Sequence, residues 1–568
     1  MKMGKRFVAI LIVASLFVLV GCDSAKQMNQ NPVEDDNKTI QRSELSPEEL
    51  VTITLWLPST RVVPTEDNKI SELLLERLGV ILEYEIVHPN EMHRHIGSRL
   101  ARNDFLDLMG NIDTSTRLTT GGALLRLDEY LDTGLWPNLM EYVAPYRGRL
   151  SYHGAEVRSG LYVIPNDNRF YGTPIPTIYW GAGFWIQKSV LSYLDYPELT
   201  GMTLERYFDM IEIYMEAHPE INGMETIGFT FPNQRRVSWN MANPPMYLQG
   251  SANTGIVVID ENNEAHIYAD SEYARRYLEI LNSAYHRGLL DSEVFVQSAE
   301  SYQEKLSSGN VLGMYDRRWE FRNIYRTLID ANKPERTWVP TMPTFDGHKP
   351  RYAERPNVVA GQGLGISATA KNPELLLTFL DTMLSEEWQI ILSWGIKGED
   401  FELDEKGLFF RNYEQRRNQW DEEWRVRNRL EALLEWLPKR QGLLSCGNAF
   451  LPSEQPSVFE ASLTSFERDF LEATRKSSWH DFVNDVPENP VFFPVWDIPL
   501  GDNPEAHIAR EELMDVTEEW MPILVKAPLG EFDRLWDEYV EAIQAINIQV
   551  FLDAINAGIQ ERIKIWGE

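Results

Sequence analysis

The sequence predicts an α/β protein with two lobes, and three observations lead to that prediction. Segments typical of strands and helices alternate along the first part of the chain, and a second such run begins near residue 172. The length of 568 residues exceeds what one hydrophobic core usually supports, so we expect two domains of roughly 200 to 300 residues. From Glu531 to Trp566 the apolar residues keep a helical period, which predicts a helical C-terminal region.

The first lobe is predicted from a strand–helix–strand unit. Val51 to Trp56 alternates and is rich in β-branched side chains, which indicates a strand. Lys69 to Leu78 places its apolar residues on one face and is followed by Gly79, which indicates a helix with a glycine cap. Further strands and a short helix are predicted at Val80 to Val87, Asp107 to Gly110 and Leu124 to Leu131. Crossovers of this kind predict an open, mostly parallel sheet.

The second lobe begins after Gly172 to Pro176, a Pro- and Gly-containing stretch that we interpret as a crossover between lobes. Its strands and helices are predicted at Tyr179 to Ile186, Leu204 to Met215, Ser298 to Ser307 and Val311 to Tyr315. Later in the chain, Gly363 to Ser367 leads into a helix with Asn372 as N-cap and Pro373 in its first turn. We expect lobe 1 to comprise residues 49–172 with about 358–400, and lobe 2 residues 173–357 with about 401–568.

The charge balance excludes one class of partner. Against 54 Lys and Arg stand 86 Asp and Glu, a net charge of −32. A nucleic-acid-binding surface needs a basic field to displace phosphate counterions, so we expect no nucleic-acid partner. The 17 tryptophans are many for a residue that is used sparingly, and they draw attention to aromatic binding surfaces.

The N-terminus is typical of an export signal. Basic residues precede a charge-free apolar run from Phe7 to Val20, which is too short to cross a bilayer permanently. The tetrad Leu19 to Cys22 looks like a bacterial lipobox, so residues 1–21 are expected to be removed and Cys22 to carry the lipid. An ordinary secretory signal with an incidental cysteine is the alternative. Residues 22–48 are polar and are expected to form a flexible linker. Cys446 is then the remaining thiol, which excludes an intramolecular disulfide, and we expect it to be buried.

Short segments spread over the chain carry a resemblance to a known family. They are the lipobox, Tyr171 to Pro176, Gly183 to Lys188, Lys305 to Gly309 with Gly313 and Met314, Gly363 to Ser367, Ala370 to Glu374, Ser385 to Glu387, Trp394 to Glu399 and Glu531 to Val540. In this order they resemble the extracellular solute-binding proteins of family 1, the lipoprotein components of carbohydrate ABC importers, and in particular the Gram-positive oligosaccharide-binding subgroup.

The resemblance implies a two-lobed, type II periplasmic-binding-protein-like fold whose cleft closes on an oligosaccharide by a hinge motion. It further implies ABC permease subunits as partners, a monomer on the outer face of the cell membrane, and no catalysis. No cofactor is expected. Many relatives carry a calcium loop after the helix that here ends near Ala217, but His218 to Thr226 offers too few carboxylates for that ion. His88, His93 and His95 lack the spacing of a zinc site, so we expect no metal and interpret them as a solvated polar stretch.

A sugar site needs aromatic faces together with polar groups aimed across them. In α/β lobes such residues lie on loops at the carboxyl ends of strands. The candidates at strand ends are Trp56, Asn111, Asp113, Tyr315, Asp316, Arg317 and Trp319. The candidates near the crossover and in irregular, Pro-containing stretches are Tyr171, Trp180, Trp239 and Trp496. A tryptophan at a strand end can also belong to the core, and Trp185 and Trp388 are expected there.

Two questions stay open at the level of sequence: whether the ligand is acidic, and whether the protein is a transport receptor, a hydrolase or a peptide receptor. Arg317 and Arg318 could hold a carboxylate, which would favour acidic, pectin-like oligosaccharides, or they could form surface ion pairs in a very acidic protein. A surface glycoside hydrolase would need two carboxylates about 5 to 9 Å apart, which cannot be chosen from 86 acidic residues. A peptide-binding or sensing receptor of the same fold is a further alternative.

Overall fold

The α/β class is confirmed by the computed structural model, which describes residues 40–111, 118–119, 121–151, 160–168, 177–232, 238–354, 362–501 and 503–567. The strands are Val51–Pro58 (β1), Val80–Val87 (β2), Leu108–Asn111 (β3), Val163–Pro165 (β4), Asp167–Asn168 (β5), Ala182–Gln187 (β6), Glu220–Ile221 (β7), Met224–Glu225 (β8), Ile227–Thr230 (β9), Val257–Ile259 (β10), Ala265–Ile267 (β11), Val311–Arg317 (β12), Trp338–Thr341 (β13), Gly363–Ile366 (β14), Glu402–Leu403 (β15), Phe409–Phe410 (β16) and Lys439–Arg440 (β17).

Helices fill the intervals between the strands and dominate the C-terminal third. They are Lys69–Leu78 (α1), Met92–Arg102 (α2), Asp128–Leu131 (α3), Pro137–Val143 (α4), Arg147–Ser151 (α5), Lys188–Tyr193 (α6), Leu204–Ala217 (α7), Pro244–Leu248 (α8), Glu272–His286 (α9), Ala299–Ser308 (α10), Arg318–Asp330 (α11), Pro373–Met383 (α12), Glu386–Ser393 (α13), Tyr413–Asn418 (α14), Glu422–Asn428 (α15), Glu431–Leu434 (α16), Pro456–Ser462 (α17), Ser465–Ala473 (α18), Pro504–Val525 (α19), Phe532–Gln544 (α20) and Ile548–Trp566 (α21).

Two larger sheets organise these elements. Sheet 1 has the strand order β2-β1-β3-β14-β4, and sheet 2 has the order β13-β6-β12-β9. In sheet 1, β1 runs parallel to β2 and β3, whereas β14 is antiparallel to β3 and β4. In sheet 2, β12 is parallel to β9 but antiparallel to β6, and β13 is antiparallel to β6. In sheet 1, four of the five strands therefore run in the same direction, as expected of a mostly parallel sheet, and β14 is reversed. β14 enters sheet 1 only after the strands of sheet 2 have been laid down along the chain, so no short βαβ crossover sets its direction.

The ends of the predicted helices have clear physical causes. The Asn68 side chain accepts hydrogen bonds from the backbone N–H groups of Ile70 and Ser71 at the start of α1. Gly79 ends that helix with φ of 67°, and a Cβ there would lie 2.3 Å from the carbonyl oxygen of Ser46, so only glycine fits. Asn372 caps α12, as predicted. The short helix predicted from Leu124 begins only at Asp128, because Leu124 pairs with Ser367 in a β-bridge.

The C-terminal region is helical but not one continuous helix. The chain breaks between α20 and α21, and the two helix axes meet at 66°. Within the described residues, no single helix is long and apolar enough to cross a membrane. Among these same residues, only α20 and α21 taken together reach the necessary length and apolar composition. Trp536 and Tyr539 of α20 and Phe551 and Ile559 of α21 are buried in the protein core.

The polypeptide after residue 400 contacts both sheets. The side chain of Asn68 donates to the carbonyls of Val426 and Arg429, and the indole of Trp436 donates to the carbonyl of Pro58 beside sheet 1. Later segments join the core built on sheet 2, where Phe470 is buried. Residues 42–568 form one compact unit, and the residue boundaries of the lobes stay predictions.

The prediction that Cys446 is buried is wrong. Its thiol is free and exposed. The carbonyl of Leu444 accepts a hydrogen bond from the N–H of Gly447, so Cys446 lies in a tight turn at the surface.

Candidate ligand-binding site

A cavity of about 650 Å³ lies at the edge of sheet 2 where β6 begins and β12 ends. The register pairs Arg317 with Ala182, which brings these two strand ends together. Loops from the second half of the chain complete the walls. The residues that line the cavity are Thr177, Ile178, Tyr179, Trp180, Gly181, Ala182, Tyr247, Asn253, Arg317, Trp319, Arg322, Tyr352, Ala353, Glu354, Gln441, Leu451, Ser453, Glu454, His480, Val486, Phe493, Pro494 and Trp496.

The start of α11 supplies one wall. Arg317 is the last residue of β12, while Trp319 and Arg322 lie three positions apart on α11 and so share a helix face. Arg318 does not reach the cavity, because it is buried with its guanidinium 3.9 Å from the centre of the Tyr325 ring. Of the two arginines that the sequence left open as carboxylate ligands, Arg317 lines the cavity and Arg318 does not. Arg322 was missed at the level of sequence, although its spacing from Trp319 on a helix was a usable signal.

A packed group of tyrosines forms a second wall. The Tyr179 hydroxyl lies 2.6 Å from the carbonyl oxygen of Ala182 and 2.9 Å from that of Tyr352. The Tyr352 ring stacks on Tyr247 with the ring centres 4.9 Å apart. Burial raises the pKa of the Tyr179 phenol well above its ordinary value, so this hydroxyl stays protonated. The wall is thus a closely packed aromatic surface.

Four of the residues predicted from the sequence meet in this cavity. They are Trp180, Arg317, Trp319 and Trp496. The indoles remain accessible: Trp180, Trp319 and Trp496 are 38%, 49% and 48% exposed. Single exposed aromatic rings are common on protein surfaces, but three that share one concave surface are typical of a binding site.

Three other predicted residues lie in the core instead. Trp56 is fully buried, and its ring centre is 4.9 Å from that of His95 on α2. The histidine stretch is therefore packed against the core at His95 rather than solvated throughout. Tyr315 and Asp316 are buried in β12, where the Asp316 carboxylate accepts a hydrogen bond of 2.8 Å from the Tyr302 hydroxyl. β1 continues to Pro58 and β12 to Arg317, so these three residues lie within strands and pack in the core rather than line the cavity.

For the other four predicted residues the structure gives no side-chain position. Asn111 ends β3, but its side chain is not described. Trp239 belongs to a helical turn, Ser238–Ala242, and its side chain is likewise not described. Asp113 and Tyr171 lie outside the described residues. The placement of these four in a ligand site stays a prediction.

Ionisable groups that the sequence did not single out also face the cavity. Glu354 forms an ion pair with Arg351 at 2.9 Å, yet burial outweighs that contact and raises the pKa of the Glu354 carboxyl to about 7. Glu454 accepts a hydrogen bond from the backbone N–H of Gly442 at 3.3 Å. Burial lowers the pKa of His480, which is therefore neutral at pH 7. No local motif marks these residues, since they come together only through the loops.

The fold of this chain is similar to that of a known class of proteins. No family model and no curated protein matches the sequence, whereas many solved structures share its architecture. The likeness covers about nine-tenths of the chain. At low sequence identity such a likeness shows the fold alone, which is that of the two-lobed solute-binding proteins.

Three solved structures illustrate the likeness. An HMO-binding, ABC-transporter-associated solute-binding protein from Bifidobacterium longum infantis is 14% identical, with a TM-score of 0.61 over 90% of this chain and 99% of that chain. An extracellular solute-binding protein from Bifidobacterium longum subsp. infantis is also 14% identical, with a TM-score of 0.62 over 91% and 99%. The S. pneumoniae ABC-transporter substrate-binding protein FusA, in complex with kestose, is 15% identical, with a TM-score of 0.59 over 90% and 99%.

Proposed function

We propose that this protein is an extracellular solute-binding protein that captures an oligosaccharide and delivers it to the permease of an ABC importer. The observation that carries the proposal is the cavity with three exposed indoles in its walls. Sugar rings have apolar faces that stack on such indoles and hydroxyl rims that need polar partners. A volume of about 650 Å³ suits a ligand of several sugar rings that extends into the cavity opening.

The polar residues of the cavity fit this ligand class. Asn253, Gln441 and Ser453 offer amide and hydroxyl groups between the aromatic walls. The fold likeness supports a role in binding and delivery, because the similar structures are named as solute-binding or substrate-binding proteins of transporters. Ligand release to a permease then follows from opening of the lobes, and no chemical step on the sugar is needed.

The proposal includes a lipid anchor at Cys22, with residues 22–48 as a tether to the membrane. The lipobox supports it, and a thiol count tests it. In the native protein from bacterial membranes, a thiol reagent should modify one cysteine, the exposed Cys446. The Cys446→Ser variant should then show no reactive thiol. A reactive thiol that remains in this variant would argue against lipidation of Cys22.

The binding function is tested with a panel of oligosaccharides and the purified protein. A ligand should raise the unfolding temperature in a saturable way, because it binds the folded state only. Trp319→Ala should weaken that binding by about two- to tenfold, since stacking on one aromatic ring typically contributes about 0.5 to 1.5 kcal/mol. Trp420→Ala is the matched control, because Trp420 is also exposed, at 52%, but lies outside the cavity walls.

Two outcomes would contradict the proposal. One is the absence of any thermal shift across neutral and charged oligosaccharides. The other is equal weakening of binding by Trp319→Ala and Trp420→Ala, which would place the ligand elsewhere. Mass spectrometry of the recovered ligand distinguishes binding from hydrolysis, since a receptor returns the oligosaccharide intact.

A further inference from the structure

We propose that the cavity selects oligosaccharides that carry an anionic sugar residue, a uronate or a sulfated sugar, which Arg317 and Arg322 hold. This inference rests on the proposed function and names the ligand class for the same site. Both arginines line the cavity beside the exposed indole of Trp319. The chemistry that they recognise is a group of negatively charged oxygens on the sugar ring.

The first observation is that neither guanidinium is neutralised. Among the described residues, the side chains of Arg317 and Arg322 have no ion pair and no hydrogen bond, and the Arg317 guanidinium lies 5.7 Å from the centre of the Trp319 ring. Acidic partners are abundant in a chain of net charge −32. On the same lobe, Arg287 bonds to both Asp209 and Glu212. Two cationic groups in one cavity are thus left available to a ligand.

The second observation is their placement. Arg317 precedes the first residue of α11, and Trp319 and Arg322 follow on one face of that helix. The N-terminus of a helix carries a partial positive charge, which adds to that of the two side chains. A sugar ring on Trp319 would therefore have cationic donors on both sides along the helix. A guanidinium binds a carboxylate through two parallel hydrogen bonds, which a neutral hydroxyl cannot match.

Among the described residues, the other ionisable side chains of the cavity form no ion pair with these two arginines. Glu354 is already paired with Arg351 at 2.9 Å. Glu454 is oriented by the backbone N–H of Gly442. His480 is neutral at pH 7 because burial lowers its pKa. In the described part of the cavity, Arg317 and Arg322 are therefore the charged side chains without a protein partner.

The test compares ligands that differ only in charge. Titration calorimetry of the purified protein would use trisaccharides of galacturonate and of mannuronate, their methyl esters, a sulfated trisaccharide and maltotriose. We expect the best anionic trisaccharide to bind at least tenfold more tightly than its neutral counterpart, and its affinity to fall as NaCl is raised. A preference for the carboxylate or for the sulfate identifies the source of the charge, and either supports the inference.

Variants then assign the preference to the two arginines. Arg317→Gln and Arg322→Gln should each weaken binding of the anionic trisaccharide by about tenfold or more, with little change for the neutral one. Arg322→Lys keeps the charge but not the paired hydrogen bonds and should recover part of the affinity. Arg326→Gln is the control, because it removes one charge from the same helix at a residue that pairs with Asp330 outside the cavity walls.

The outcomes that overturn the inference differ from those that overturn the function. If neutral trisaccharides bind as tightly as anionic ones, or if Arg326→Gln weakens binding as much as Arg322→Gln, the inference fails while sugar binding stands. If no oligosaccharide binds at all, both fail. Thermal unfolding of each variant verifies that lost binding does not reflect lost structure.

Discussion

Replacing Glu467 by glutamine should destabilise the protein more than any single surface substitution, because it removes the counter-ion of a fully buried lysine. The Lys188 ammonium is 2.8 Å from a carboxylate oxygen of Glu467 and 2.7 Å from the Tyr325 hydroxyl. The Tyr325 hydroxyl in turn donates to Glu467 at 2.6 Å. The ammonium also lies 3.9 Å from the centre of the Trp479 ring. Burial lowers the pKa of Lys188 to about 8, so it is still charged at pH 7.

The loss of stability in each variant depends on the interactions that the remaining partner keeps. In Glu467→Gln the ammonium stays buried with no carboxylate, which typically costs about 3 to 5 kcal/mol. In Lys188→Met the carboxylate still accepts hydrogen bonds from Tyr325 and from the Thr464 N–H and hydroxyl, so we expect a smaller loss of about 1 to 3 kcal/mol. The double variant should lose less than the sum of the two.

Differential scanning calorimetry measures these losses. For a cooperative unit of about 500 residues, 3 to 5 kcal/mol corresponds to a fall in Tm of about 3 to 5 °C. Glutamine at position 467 can still complete the capping box with Thr464, so the helix start is preserved and the measured change reports the lost charge. The reasoning is refuted if Glu467→Gln unfolds within 1 °C of the unmodified protein, or if Lys188→Met is the less stable single variant.

Two further predictions concern the walls of the cavity and the strand beside it. Burial raises the pKa of Asp316 to about 7, so the folded state holds a proton that the unfolded state releases. Its contribution to stability is therefore present at low pH and is lost as pH rises from about 4 to 7, a change of about 4 kcal/mol. Asp316→Asn should flatten that slope in urea unfolding at pH 4.5 and 7.5, and an unchanged slope would argue against it. A Cβ at Gly181 would lie 2.3 Å from the Tyr179 hydroxyl, so Gly181→Ala should displace that ring and weaken ligand binding. Gly183→Ala is the control, because the nearest atom to a Cβ there is 3.7 Å away, and the affinity measured by calorimetry should not change.

Local patterns were sufficient for many elements. The helix Lys69–Leu78, its glycine cap and the strand Val80–Val87 appear with the bounds expected from periodicity and cap chemistry. These features depend on neighbours in sequence, which is why they could be predicted. The reversed direction of β14 and the break between α20 and α21 depend on distant contacts and were not predicted.

The residues of the candidate site, too, were only partly predictable from local sequence patterns. Residue type and position at a strand end selected Trp56 and Trp319 alike, yet one is fully buried and the other is half exposed. The difference is the covering of each strand end, since α2 brings His95 against Trp56. No pattern within a short segment reports which helix will cover it.

The sequence by itself therefore determined the α/β class, most of the strands and helices, the acidic surface and the aromatic residues available for a binding site. Only the tertiary structure decided which of those aromatics meet. Trp180, Trp319 and Trp496 share one cavity because the antiparallel pairing of β6 with β12 joins two strand ends and a late loop closes over them. Such contacts join residues far apart in the chain, and their choice depends on the burial of the whole core rather than on any local preference.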